Sequence, residues 1–174
     1  MPMIWSTGDN MRESSYLKGR DDLIESLRKI PLMESYEDKI LGNILELSKL
    51  RIYGPEEIIA REGEYDCWLY VILKGEVMIS KNKEGIARLG TPGDTFGELA
   101  VLDGEARSAT VHAATDTTCL AIDSSFLERL EPLEKKNFEA VYYLLISEII
   151  AKRLRETSNE LSRLKQEMKL LSRR

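Results

Sequence analysis

The hydrophobic pattern changes period twice along the chain. Up to about Leu50 the spacing is helical. Leu23, Ile24 and Leu27 recur within 21–29, Pro31 interrupts them, and Ile40, Leu41, Ile44, Leu45 and Leu47 resume the period after Glu34. From Arg51 to Ile122 the period falls to two, in short runs over 57–60, 68–73, 76–80, 86–89, 108–113 and 118–122. Gly54-Pro55, Glu62-Gly63, Lys74-Gly75, Glu84-Gly85, Pro92-Gly93-Asp94 and Asp103-Gly104 stand between the runs. Eight of the 11 glycines lie between Gly54 and Gly104, which marks many short strands joined by tight turns. From Ser125 the helical period returns. Pro132 divides a short helix from a long one, which runs from about Leu133 to the end without an internal Gly or Pro.

This order predicts an α+β fold: a β jelly-roll or double-stranded β-helix sandwich, flanked by N-terminal helices and a long C-terminal helix. The expected divisions are a tail and helices over 1–48, a β-roll over 49–124, and C-terminal helices over 125–174. The polar, mixed residues before about Tyr16 read as a loose tail. A heptad seam fits the second half of the long helix. Leu154, Leu161 and Met168 take one seam position, and Ile150, Thr157, Leu164 and Leu171 the other. Glu160 and Lys165 then fall where a parallel two-stranded coil pairs its flanks, so a homodimer through this helix is expected. The alternative is a helix that packs back on its own domain.

Composition narrows the chemistry. The 43% apolar residues suffice for a core, and the net charge of −5 argues against a duplex-DNA binder, which needs a basic face. The two cysteines, Cys67 and Cys119, have no CxxC spacing, so an intracellular, cytoplasmic setting without disulfides is expected. Cys119 lies in an apolar run and reads as a small buried hydrophobe, and Cys67 as a residue at a strand start. The single His112 sits in an alternating run, so neither a metal site nor a catalytic base is expected. No signal peptide or membrane span is read. With no nucleophile–base pair and no triphosphate-binding loop, an enzyme is not expected, and no cofactor is called for.

The informative stretch is 92–110, Pro-Gly-Asp-Thr-Phe-Gly-Glu-Leu-Ala-Val-Leu-Asp-Gly-Glu-Ala-Arg-Ser-Ala-Thr. Gly93 and Gly97 permit tight turns and close backbone approach. The residues from Glu98 to Leu102 can form a short helix whose first N–H groups suit an anion. Arg107 can give phosphate oxygens a charge-assisted bond, bidentate if its fork is open, and Ser108 adds a hydroxyl beside it. Glu98 can accept from a ribose hydroxyl. The competing reading is that Glu98 and Arg107 simply pair with each other at a surface loop.

Phe96-Gly97-Glu98-Leu99-Ala100, followed by Arg107-Ser108-Ala109, resembles the phosphate-binding cassette of the cyclic-nucleotide-binding domain family, which includes the catabolite activator protein and the regulatory subunits of cAMP-dependent protein kinase. Arg61-Glu62-Gly63-Glu64, the strand pair across Tyr70–Val77 with Gly75 at its turn, and Pro92-Gly93-Asp94 resemble the surroundings of that cassette, and the likeness runs from about Leu27 to the end. The resemblance implies that Glu98 binds the ribose 2′-hydroxyl and Arg107 the cyclic phosphate. Ser108 and the backbone N–H groups near Gly97, Glu98 and Ala100 would assist. Leu99 would pass the cassette's movement to the flanking helices. Arg153-Leu154-Arg155-Glu156-Thr157-Ser158 resembles the helix in which a Thr-Ser pair reaches the adenine amino group across the dimer, so the resemblance implies Thr157 and Ser158 at the base. Thr157 also breaks an otherwise apolar seam; setting register or bonding its own helix backbone are the plainer explanations. The ligand implied is cAMP, with cGMP as the alternative because a hydroxyl at Ser108 helps hold guanine in some family members. Trp68, Tyr70 and Phe96 read as core, and Tyr142-Tyr143 as one buried and one exposed ring. The function expected is a non-catalytic sensor that repositions its C-terminal helix and acts on an unknown effector protein, with no nucleic acid or membrane partner. Two alternatives are a regulator of the catabolite-activator type lacking a DNA-binding domain, for which the residues before Arg174 leave no room, and an interaction scaffold that no longer responds to ligand.

Overall fold

The computed structural model describes residues 5–7 and 11–171; the remaining terminal residues, including Arg173 and Arg174 of the basic helix end, and 8–10 lie outside the described residues. Two antiparallel sheets form the β-roll. The first runs β1 (Trp5–Thr7), β2 (Arg12–Ser14), β3 (Ser48–Tyr53), β10 (Thr117–Asp123), β5 (Trp68–Lys74), β8 (Thr95–Phe96) in spatial order. The second runs β4 (Ile58–Ala60), β9 (Thr110–Ala113), β6 (Val77–Lys81), β7 (Glu84–Leu89).

The apolar runs over β5 and β10 have a direct explanation. Their alternate residues serve two cores. Tyr70, Ile72, Cys119 and Ala121 face Ile59, Val77, Val111 and Ala113 of the opposite sheet. Leu69, Val71, Leu120 and Ile122 face the helices. A strand buried on both faces loses the polar half of its alternation. Gly75, at the β5–β6 turn, has φ +89°, and a β-carbon there would lie 2.7 Å from Thr117 Cα, so only glycine fits.

The helical core is built from α1 (Ile24–Arg28), α2 (Asp38–Glu46) and the first part of α4 (Pro132–Leu171). Pro132 takes the first helical position, where its missing N–H costs nothing. Phe138, Val141, Tyr142, Leu145, Ile146 and Ile149 bury one stripe of α4 against α2 and the sheet. Tyr142 is buried and Tyr143 exposed. A hydrogen bond of 2.5 Å from Tyr36 Oη to Glu148 Oε2 ties the N-terminal segment to α4. From Leu154 onward every described residue of α4 is exposed, so the helix leaves the body as a free arm. The described residues contain no helix long and apolar enough to cross a membrane.

The N-terminal region differs from the reading of its pattern. Helix ends at Glu46, and β3 follows at once; Arg12–Ser14 and Trp5–Thr7 then pair alongside it as strands rather than a loose tail. Strands of three residues show no period. What holds them is an ion pair that spacing cannot show: Glu13 accepts from Lys49 and Arg51 across β2 and β3.

Candidate functional site

A cavity of about 380 Å³ opens between the β-roll, the segment Asp94–Ala100 and α4. Gly97 starts the short helix α3 (Glu98–Asp103) with φ +89°. A β-carbon at Gly97 would lie 2.9 Å from the Trp68 carbonyl oxygen and would overlap Arg107 Nη1. The glycine therefore makes room for the arginine as well as for the turn.

Arg107 is buried, at 4% exposure, in the loop before β9. Its Nε donates to Asp66 Oδ2 at 2.9 Å, Nη1 to the Gly97 carbonyl at 2.8 Å and Nη2 to the Trp68 carbonyl at 2.5 Å. Nη2 also bonds Asp66 Oδ1. Four of the five N–H groups are thus engaged among the described residues, leaving one Nη1–H. An anion can accept a hydrogen bond from that N–H at once. A bidentate grip requires the arginine to give up an internal partner.

Glu98 does not pair with Arg107. It is 1% exposed and bonds Arg153 of α4 through Oε1, while Arg153 Nη2 donates to the Thr95 carbonyl at 2.6 Å. Glu98 Oε2 is buried without a hydrogen-bond partner among the described residues. An unpaired buried carboxylate oxygen costs desolvation energy of about 1–3 kcal/mol or more unless something fills it. The surface-pair reading of Glu98 and Arg107 is corrected by this geometry: each has a different partner, and both are buried.

The other expected site residues divide. Gly97, Glu98, Leu99, Ala100, Arg107, Ser108, Ala109 and Thr157 line the cavity together with Phe96. Ser158 is not among the lining residues, and both it and Thr157 are exposed on α4. Phe96 stacks on Tyr70 with ring centroids 4.8 Å apart, so both rings are committed to the core. Leu99 is 48% exposed rather than packed. Ile86, Ala87 and Leu89 of β7 give the cavity an apolar side, and Lys152, Glu156 and Glu160 of α4 a charged one.

Two residues in contact with this machinery are not among those the sequence places at the site. Asp66 meets Arg107 across 41 residues of sequence. Arg153 lies four residues before Thr157, on the same helix face, and that spacing alone could have pointed to it. Burial pushes the Cys119 thiol up to about 12, which makes it inert core. No group of His, Cys, Asp and Glu among the described residues could hold a metal ion.

Residues 50–131 match the family model of the cyclic nucleotide-binding domain. The chain carries a cyclic nucleotide-binding domain. It is 32% identical over 109 residues to the cAMP-dependent protein kinase regulatory subunit of Schizosaccharomyces pombe, covering 62% of this chain and 26% of that subunit. The chain thus spans about a quarter of that relative's length. The fold matches a cyclic nucleotide-binding domain from Methylobacillus flagellatus with a TM-score of 0.68 at 22% identity, covering 87% of each chain. It also matches the catabolite activator protein of Thermus thermophilus, with a TM-score of 0.61 at 27% identity, covering 78% of this chain and 63% of that one. The jelly-roll sandwich with flanking helices is therefore the fold of this domain.

Proposed function

We propose that the chain is a non-catalytic, cytoplasmic cyclic-nucleotide sensor that binds cAMP and shifts its long C-terminal helix in response. The observation that carries this reading is the buried, half-unpartnered Glu98 beside a buried arginine in one cavity. Glu98 Oε2 accepts the ribose 2′-hydroxyl. Arg107 directs its open Nη1–H at the cyclic phosphate, and Ser108 and the backbone N–H groups near Gly97 and Ala100 complete the oxyanion contacts. The phosphate charge then competes with Asp66 for the guanidinium. The apolar side at Ile86, Ala87 and Leu89 receives the purine.

Arg153 explains how binding reaches the helix. The same carboxylate that takes the ribose hydroxyl holds α4 through Arg153. Any ligand that alters Glu98 alters the grip on α4, which is the differential interaction a population shift requires. Leu99, exposed on the cassette helix, is free to acquire a partner when α4 moves.

Beyond the body, Leu154, Leu161, Leu164, Met168 and Leu171 leave an apolar seam in solvent. A second copy of α4 along this seam gives a parallel homodimer, with the effector protein engaging the altered dimer. Thr157 lies both in this seam and on the cavity wall, which supports its contact with the base and a preference for cAMP. Competition against a fluorescent cAMP analogue tests the preference. Unlabelled cAMP is expected to displace the probe at lower concentration than cGMP, and equal displacement contradicts the preference.

A further inference from the structure

Behind the cavity wall lies a second line of polar contacts. It starts at Glu13 on β2, whose carboxylate accepts from Arg51 Nε at 2.6 Å and Lys49 Nζ at 2.5 Å. Arg51 is 9% exposed on β3 and donates from Nη1 to Tyr70 Oη at 2.8 Å. Its guanidinium also lies 3.7 Å from the Trp68 ring centroid. Both residues it touches continue toward the ligand site. The Tyr70 ring stacks on Phe96 and lies 5.9 Å beneath the Arg107 guanidinium. The Trp68 carbonyl accepts from Arg107 Nη2.

A buried arginine is a poor choice for stability alone, because apolar residues of similar volume fill such sites at no loss. Its cost is offset only while Glu13 is docked. Moving the β1–β2 ribbon away leaves the Arg51 charge inside the roll without a carboxylate partner among the described residues, facing Tyr70, Tyr53 and the Trp68 ring. Tyr70 and Trp68 must then readjust, and with them the two groups that fix Arg107 and Phe96.

We infer that Glu13, Arg51 and Tyr70 are positioning residues that couple docking of the N-terminal β1–β2 ribbon to the geometry of the cyclic-nucleotide site. The inference rests on the proposed cyclic-nucleotide binding. Coupling of this kind is reciprocal: the ribbon raises ligand affinity, and the ligand tightens the ribbon by the same factor. A ribbon that only extends the sheet shows neither effect, and weakening it lowers melting temperature alone.

The test uses the full chain in wild-type, Glu13→Gln and Tyr70→Phe forms. Glu13→Gln keeps shape and removes charge; Tyr70→Phe keeps the ring stack and removes the hydroxyl. Calorimetry gives cAMP affinity, and hydrogen exchange gives the protection of residues 12–14. Both variants are expected to bind cAMP on the order of tenfold more weakly, and saturating cAMP is expected to slow exchange at 12–14 in the wild type by a similar factor. Wild-type affinity in both variants, whatever their melting temperatures, overturns the coupling, as does exchange at 12–14 that cAMP leaves unchanged. If the wild type binds neither cAMP nor cGMP, the binding reading fails separately. The relay is then read in the free protein, where Tyr70→Phe must still speed exchange at 12–14, and unaltered exchange overturns it.

Discussion

Gly97, Glu98 and Arg107 make one unit. The glycine's left-handed backbone turns the chain into α3, and its missing β-carbon admits the guanidinium that sits against its carbonyl. Gly97→Ala should cost about 1–3 kcal/mol from the backbone conformation alone. It should also displace Arg107 and weaken cyclic-nucleotide binding more than tenfold. Thermal melting and calorimetry check the two effects together, and an alanine variant with wild-type affinity contradicts the arrangement. Glu98 and Arg107 stand out in the sequence because they lie within one short segment with the glycines. Asp66 and Arg153 do not, because their roles arise when the chain brings positions 41 and 55 residues apart into contact. Ser158 does not line the cavity of its own chain; its expected place at the base is one reached across a dimer, and it belongs with the proposed pairing of two copies of α4.

Among the elements, α4 was the most legible and the N-terminal ribbon the least. Pro132, the unbroken run after it and the heptad seam all act locally, so they can be read in the order of residues. The ribbon is held by Glu13 on Lys49 and Arg51, a contact with no local periodicity. The exposed arm of α4 yields a prediction of its own. Leu161→Asp places a charge at the seam and should convert the proposed dimer to a monomer by sedimentation at micromolar concentration, with the β-roll still folded. A wild-type chain that sediments as a monomer at high micromolar concentration contradicts the dimer outright.

For the whole molecule, two cores meet at β5 and β10, and burial of both faces explains why those strands depart from the period of two expected of them. Acid stability is also a property at this scale. Burial alone would raise the Asp123 carboxyl, but Ser125, Tyr16 and Arg129 outweigh it and hold it below the ordinary value. Glu13 is held down in the same way, with Lys49 and Arg51 opposing burial. Because both folded values lie below the unfolded ones, their stabilisation is fully present above the unfolded carboxylate range and is lost as pH falls through the folded values. Stability should therefore be flat between neutral pH and about pH 5 and fall below about pH 4. Denaturant melts should show this acid limb, and Asp123→Asn should flatten it; an Asp123→Asn protein with an unchanged acid limb contradicts the assignment.

In the proposed function, Glu98 and Arg107 together hold a cyclic nucleotide. Calorimetric titration of the wild type and of Arg107→Ala with cAMP tests it most directly. Loss of charge-assisted bonds worth about 1.5–3 kcal/mol each should weaken binding in the variant by about ten- to a hundredfold or more. Saturable heat with micromolar or tighter affinity in the wild type, lost in Arg107→Ala, is the predicted result. Equal affinity in the two proteins, or no heat from either cAMP or cGMP in the wild type, contradicts it.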